Sequence, residues 1–333
     1  MKYFDNKKIL VTGGAGFIGS NLVKKLVEYN ANVSVIDNLW RGSMNNLLDI
    51  NNKPIIDIKT NFHNFDLTLY TKCVEFIKGF DFVYHLADVV AGIDFVFKKE
   101  PFVFRQNILI NSNTLAACVE NNIPNYIYVG TACSFPKHLQ DSNDIVSLIE
   151  EDTYPANPES SYGWSKLMGE YEAIIANLNS NINVGLLRLH NVYGPGASYD
   201  SFKGQVIPSL IRKAVNYPDE EFIVWGSGKQ YRDFVFIDDV INALLLVPEK
   251  GMNNGLIQIG TEIPTTIEKL SKTIIEISKK IIIPIFDTSK PEGDKGRISN
   301  CKKARKILNW NPSVDIYNGI KKTYISIMDD IIA

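Results

Sequence analysis

The sequence predicts an α/β protein built on a doubly wound, Rossmann-type parallel sheet, with a smaller α/β region towards the C-terminus. Three observations carry this. Short apolar strand candidates alternate with helical patterns through the first half of the chain, a glycine-rich turn joins the first strand candidate to the first helix, and an acidic residue, Asp37, ends the second strand candidate. Such alternation produces βαβ units, and therefore a parallel sheet covered by helices on both faces.

The elements follow in order. Residues 8–11 read as a buried strand, and 17–29 as a helix whose apolar side chains recur every three or four positions. Residues 33–36, 55–58 and 82–86 supply the second, third and fourth strands. A helical pattern over 107–120 leads into a fifth strand at 126–129, rich in β-branched and aromatic residues. A helix near 161–178 and a strand at 184–189 come next. Beyond about residue 180 the pattern is less regular: strand candidates at 222–225, 234–236, 257–259 and 283–285 alternate with helices near 240–246 and 267–277.

Composition bounds the function. The 333 residues suit about two domains or one large one. With 45% apolar and 22% charged residues the chain can bury a substantial core, which argues against disorder. Lys plus Arg number 35 and Asp plus Glu 37, a net charge of −2, so there is no basic excess for nucleic acid or an anionic membrane. The four cysteines (Cys73, Cys118, Cys133, Cys301) include no Cys-x-x-Cys pair, and the four histidines add no ligand cluster, so neither a disulfide framework nor a metal site is expected. No apolar run approaches the ~20 residues that span a bilayer. Residues 1–14 pass directly into strand and glycine turn without the apolar core of a signal peptide. The expectation is a cytoplasmic protein.

Gly13, Gly16 and Gly19, between the first strand and first helix, permit a tight turn, a close backbone approach to a pyrophosphate, and close packing of helix on strand. The helix that begins with Phe17 and Ile18 then offers free N–H groups and its positive dipole end. Asp37, followed by Asn38, can accept hydrogen bonds from adenosine ribose hydroxyls and repel a 2′-phosphate, which favours NAD over NADP; Arg41 close behind argues in the other direction. Asp66, followed by Leu67, suits either the adenine amino group or a helix cap. His85, Leu86 and Ala87 end the fourth strand at the carboxyl edge, where such sheets bind ligands; His85 reads as a satisfied buried histidine, Leu86 and Ala87 as cofactor-site residues. The division expected is an NAD-binding domain over 1–180 and a mainly substrate-binding domain over 181–333, some of whose segments return to the main sheet.

Tyr162 and Lys166 stand at i and i+4, on one helical face. The ammonium can lower the phenol pKa and make Tyr162 a base for a sugar hydroxyl. Together with the glycine turn and Thr131 at the end of the fifth strand, this pair resembles the extended short-chain dehydrogenase/reductases, the family of nucleotide-sugar epimerases and dehydratases, along essentially the whole chain. The resemblance places the family's Ser/Thr, Tyr and Lys on Thr131, Tyr162 and Lys166. It aligns the segment 188–195, with Asn191, to the entry of the nucleotide-sugar site, and 226–234 to the diphosphate-contacting stretch, with Arg232 as phosphate ligand. Gly92 and Val206 fall among its substrate contacts. It also implies a homodimer formed through the helix that carries Tyr162.

Thr131 is followed by Ala132 and Cys133, without the Asp-Glu pair of the 4,6-dehydratases. The stretch 131–136 instead resembles the GDP-mannose 3,5-epimerases and, more distantly, the GDP-fucose synthases, where a cysteine in this place is an acid/base. The same resemblance nominates Lys203 as its partner and Arg297 as a phosphate ligand. Chemistry agrees. Once C4 is a ketone, protons at C3 and C5 become acidic, and inversion needs one proton-transfer group on each ring face. A thiol with a free pKa of ~8.5 and an ammonium of ~10.4 can serve if burial and mutual charge bring both towards neutrality. His190 is the other base candidate, and otherwise a satisfied strand-end histidine. The expectation is an NAD-dependent nucleotide-sugar epimerase acting on a GDP-manno-type sugar through a transient 4-keto stage. The alternatives are a C4-epimerase or 4-oxidoreductase on a UDP- or GDP-sugar, a 4,6-dehydratase, and an NAD-sensing protein, which would need the glycine turn but not the Thr131–Tyr162–Lys166 set.

Overall fold

The computed structural model describes residues 2–90, 92–141, 144–200, 204–290 and 293–332. Seven strands form one parallel sheet: β1 (Lys8–Thr12), β2 (Asn32–Ile36), β3 (Phe62–His63), β4 (Phe82–His85), β5 (Asn125–Thr131), then β7 (Asn183–Leu189) and β11 (Leu256–Ile259), with β6 (Ser147–Leu148), β8 (Asn191–Tyr193), β9 (Ile223–Trp225) and β10 (Tyr231–Phe236) lying between them in the chain. Their order across the sheet is β11-β7-β5-β4-β1-β2-β3. The strands are nearly continuous apolar runs because helices cover both faces. In β1, Ile9 and Val11 enter the core on one face and Leu10 the core on the other.

The chain leaves β1 towards β2 and β3 on one side and returns to β4 and β5 on the other. The strand order therefore reverses between β1 and β4, and a crevice opens above their carboxyl ends. A second layer hangs over that edge. β8, β10 and β12 (Pro264–Thr266) make a three-stranded sheet, β9 pairs with β13 (Ile285–Asp287), and β6 pairs with β14 (Ile298–Ser299). The last pairing matters most for function, because it brings the loop that follows Cys133 against the segment that carries Arg297.

Two strand expectations are corrected. Residues 55–58 are not a strand; the third strand is β3, which pairs with Val35 and Ile36. Pro54 has no N–H to give to a ladder, and Asp57 accepts from Lys59 N–H to cap the short helix Ile58–Asn61, so Ile56 is buried from a loop. The strand expected at 283–285 begins only at Ile285. Pro284 interrupts the apolar run, and Ile281 and Ile283 are left exposed.

Candidate active site

The crevice is a single cleft of about 980 Å³, which is large enough for a dinucleotide with a second ligand beside it. Every residue expected at the site lines it except two: Lys166 is buried behind its wall, and Lys203 lies outside the described residues.

At one end, Gly13 takes φ +69°, and a Cβ there would stand 2.9 Å from the backbone of Ala87. The turn after β1 and the turn after β4 thus touch, as only glycine allows. The helix Phe17–Glu28 starts after Gly16 with no side-chain cap, so the N–H groups of its first turn open onto the cleft. The Asp37 carboxylate is 8% exposed and accepts from Ala15 N–H at 2.9 Å and Leu39 N–H at 2.8 Å; burial raises its pKa, and these two bonds act against that. Asp66 accepts from Thr68 N–H at 2.9 Å in a local turn, and also faces the cleft. Arg41 donates to Val90 O at 3.2 Å and acts electrostatically on Asp88 and Tyr162. His85 is fully buried between Thr12 Oγ1 (2.8 Å) and Asn111 Oδ1 (3.0 Å), and burial pushes its pKa down to about 3: a neutral core histidine, as expected.

In the middle, the helix Ser161–Asn179 places Tyr162 and Lys166 one turn apart. Sequence reading passed over the group between them. Asp88, the residue after Ala87, accepts from the Tyr162 hydroxyl at 2.9 Å and lies 3.7 Å from Lys166 Nζ. Lys166 also sits over the Tyr128 ring at 4.6 Å. The pKa of Tyr162 is accordingly raised well above its ordinary value, first by burial and then by Asp88, opposite to the expected effect of Lys166. That of Lys166 is lowered by burial, against the pull of Asp88 and Glu170. The position of Asp88 just beyond the carboxyl end of a parallel strand was the available signal. Thr131 caps the turn Ala132–Ser134 by accepting from Cys133 N–H, which leaves its own hydroxyl proton free to be donated into the cleft.

At the other end, Cys133 is half-buried and its sulfur accepts from Arg297 Nη2 at 3.2 Å. The same guanidinium donates through Nη1 to Asp294 (2.7 Å) and Gln140 (2.9 Å). Glu159 lies 3.8 Å from Lys137 Nζ; burial and then the neighbouring Asp294 raise its pKa to about 7, whereas burial acts to raise that of Asp294 but Arg297 brings it down. Sequence reading assigned neither carboxylate a role. Arg232 faces the same cluster, and burial followed by the repulsion of Arg297 pushes its pKa down to about 10. Asn191 keeps a buried Oδ1 without a protein partner among the described residues. His190 Nε2 donates to Gln258 Oε1 at 3.0 Å, and burial lowers its pKa. Gly92 and Val206, each at the start of a helix, form part of the wall. Among the described residues no cluster of side chains could hold a metal ion.

The comparisons agree with this geometry. GDP-mannose 3,5-epimerase of Arabidopsis thaliana is 28% identical over 327 residues, 98% of this chain and 84% of that protein. A UDP-N-acetyl-alpha-D-glucosaminuronate decarboxylase of Bacillus cytotoxicus is 27% identical over 331 residues, 95% of this chain and 96% of that one. The crystal structure of UDP-glucose 4-epimerase with UDP-glucose from Thermotoga maritima superposes with a TM-score of 0.86 at 28% identity, covering 97% of this chain and 99% of that chain. Residues 9–260 match the family described as "NAD dependent epimerase/dehydratase family". The glycine turn, the acid at the end of β2 and the Thr131–Tyr162–Lys166 set thus stand in a chain that belongs to the NAD-dependent epimerase/dehydratase family of Rossmann-fold enzymes.

Proposed function

We propose that this enzyme is a nucleotide-sugar epimerase that works through a transient 4-keto sugar and exchanges protons at C3 or C5, on a GDP-linked, manno-configured sugar. The observation that carries the reading is the Cys133 thiol, half-exposed on the cleft wall two residues beyond Thr131 and hydrogen-bonded by Arg297. The likeness to the Arabidopsis enzyme supports the choice of base and sugar.

The residues present fit the cofactor. The uncapped N–H groups at Phe17, Ile18 and Gly19 would take the pyrophosphate, Asp37 and Asn38 the adenosine ribose, and Asp66 with Leu67, Leu86 and Ala87 the adenine and flanking walls. Bound NAD supplies a hydride acceptor for C4. Tyr162 removes the O4 proton, Thr131 donates to the same oxygen, and Lys166 holds charge behind Tyr162. A C4 ketone acidifies the protons at C3 and C5. Cys133 exchanges one of them, with Lys203 as its partner on the opposite ring face. Arg232, partly exposed on the cleft, and the buried Arg297 repel each other, so both gain from an anion between them and hold the diphosphate. The orphan Asn191 Oδ1 receives a sugar hydroxyl.

A second reading, C4 epimerisation of a UDP-sugar, is favoured by the likeness to the Thermotoga maritima structure and needs only Thr131, Tyr162 and Lys166. Incubation with GDP- and UDP-sugars in D2O separates the two. Deuterium at C3 or C5 supports the proton-exchange epimerase, whereas a C4-inverted product without deuterium selects the second reading.

The enzyme pairs with a second copy of itself through the helix that carries Tyr162. Tyr171, Ile174, Ile175 and Leu178 are exposed there at i, i+3, i+4 and i+7, a single apolar stripe.

A further inference from the structure

We infer that Asp88 is a positioning residue of the reacting site: its carboxylate accepts the hydrogen bond of the protonated Tyr162 phenol and opposes its ionisation, so that removing the carboxylate lowers the pH above which Tyr162 can accept the O4 proton. The inference deepens the proposed C4 oxidation and rests on it.

The geometry is specific. One carboxylate oxygen of Asp88 accepts from the Tyr162 hydroxyl at 2.9 Å and lies 3.7 Å from Lys166 Nζ, so the ammonium expected to act on the phenol is engaged by an anion instead. The backbone next to Asp88 is clamped. Val89 N–H donates to Asn107 Oδ1 at 2.6 Å, Asn107 Nδ2 donates to Val89 O at 3.1 Å, and Arg41 donates to Val90 O. These bonds fix the backbone that carries Asp88 opposite the helix it faces.

Other titratable groups among the described residues also act on the pair. Arg41 faces both Asp88 and Tyr162, Cys133 and Tyr128 act on Tyr162, and Glu170 and His85 act with Lys166. Among the described groups that act on Tyr162, Asp88 both brings negative charge beside the phenol and accepts its proton in a hydrogen bond. Negative charge beside a phenol favours the neutral form, and a hydrogen bond given by that neutral form adds to the effect.

The test follows the ionisation of Tyr162 itself by NMR of protein labelled with 13Cζ-tyrosine, its signal identified by its loss in Tyr162→Phe. In Asp88→Asn, which keeps an acceptor but removes the charge, the Tyr162 signal should titrate about one pH unit or more lower than in the parental chain. Asp88→Ala should move it further. The pH at which added sugar produces enzyme-bound NADH absorbance should fall in step. A Tyr162 signal that follows the same course in parental and both variant proteins, with NAD content and circular dichroism unchanged, overturns the inference. Absence of sugar-dependent NADH in the parental chain, with Tyr162 still shifting in the variants, overturns the proposed C4 oxidation and leaves the effect of Asp88 standing.

Discussion

The carbonyl of Cys133 occupies the space that a side chain on Gly163 would need. The turn after β5 and the first turn of the Tyr162 helix are therefore in backbone contact, strengthened by Ser134 Oγ donating to Gly163 O at 3.3 Å. The thiol proposed for proton exchange and the phenol proposed for O4 belong to one rigid unit. A nucleotide sugar would meet both without any movement of one relative to the other.

Gly163→Ala puts a methyl group into that contact. Overpacking of this kind costs about 1–3 kcal/mol, and here it also pries Cys133 from Tyr162. Thermal unfolding should show the loss of stability, and both sugar-dependent NADH formation and proton exchange should slow. A variant as stable and as active as the parental chain would show that the two turns are not tightly packed.

Asp37→Ala removes an acidic acceptor at the end of β2. Loss of the charged hydrogen bonds proposed from Asp37 to the ribose should weaken NAD binding by about 1.5–3 kcal/mol and relax discrimination against NADP. Calorimetric titration of both cofactors measures this, and equal affinities in parental and variant proteins would place the ribose elsewhere.

Glu159 makes stability depend on pH in a defined direction. Its folded pKa, about 7, lies above the ordinary carboxylate value, so between roughly pH 4.5 and 7 the folded chain holds a proton that the unfolded chain has released. Its contribution to stability is present at the acid end of that window and is lost as pH rises through it. Glu159→Gln keeps the neutral form throughout. The melting temperature of the variant relative to the parental chain should therefore rise between pH 5 and pH 8. A constant difference would show that folding does not raise the Glu159 pKa.

Ile175→Glu places a charge in the middle of the exposed stripe on the Tyr162 helix. Light scattering coupled to gel filtration should report a dimer for the parental chain and a monomer for the variant. Dimers in both would move the contact to another surface.

Much of this architecture is legible in the residues. The strands of the main sheet are apolar runs bounded by turn residues, and the glycine turn, Asp37, Thr131, Tyr162 and Lys166 stand at strand ends or on a helix face where local pattern suffices to place them. Residues 55–58 misled because an apolar run does not reveal whether its backbone hydrogen bonds go to a neighbour, and Pro54 and the Asp57 cap decide against a ladder. The strand end marked Asp88 as a cleft residue, but the partners of Asp88, Glu159 and Asp294 were not legible. Asp88 meets Tyr162 across 74 positions, and Arg297 meets Cys133 across 164, through the β6–β14 pairing. Only the folded chain sets the distances, and with them the electrostatics that turn the expected lowering of the Tyr162 pKa into a rise.

Cys133 is proposed to exchange ring protons while Thr131, Tyr162 and Lys166 carry out oxidation at C4. Cys133→Ser tests it most directly, with enzyme-bound NADH absorbance and deuterium incorporation from D2O followed in the same samples. A serine hydroxyl is far less acidic than a thiol and cannot give and take the same proton near neutral pH. The account predicts that NAD binding and sugar-dependent NADH formation persist while deuterium at C3 and C5 disappears. Deuterium exchange that continues at the parental rate in Cys133→Ser would contradict it.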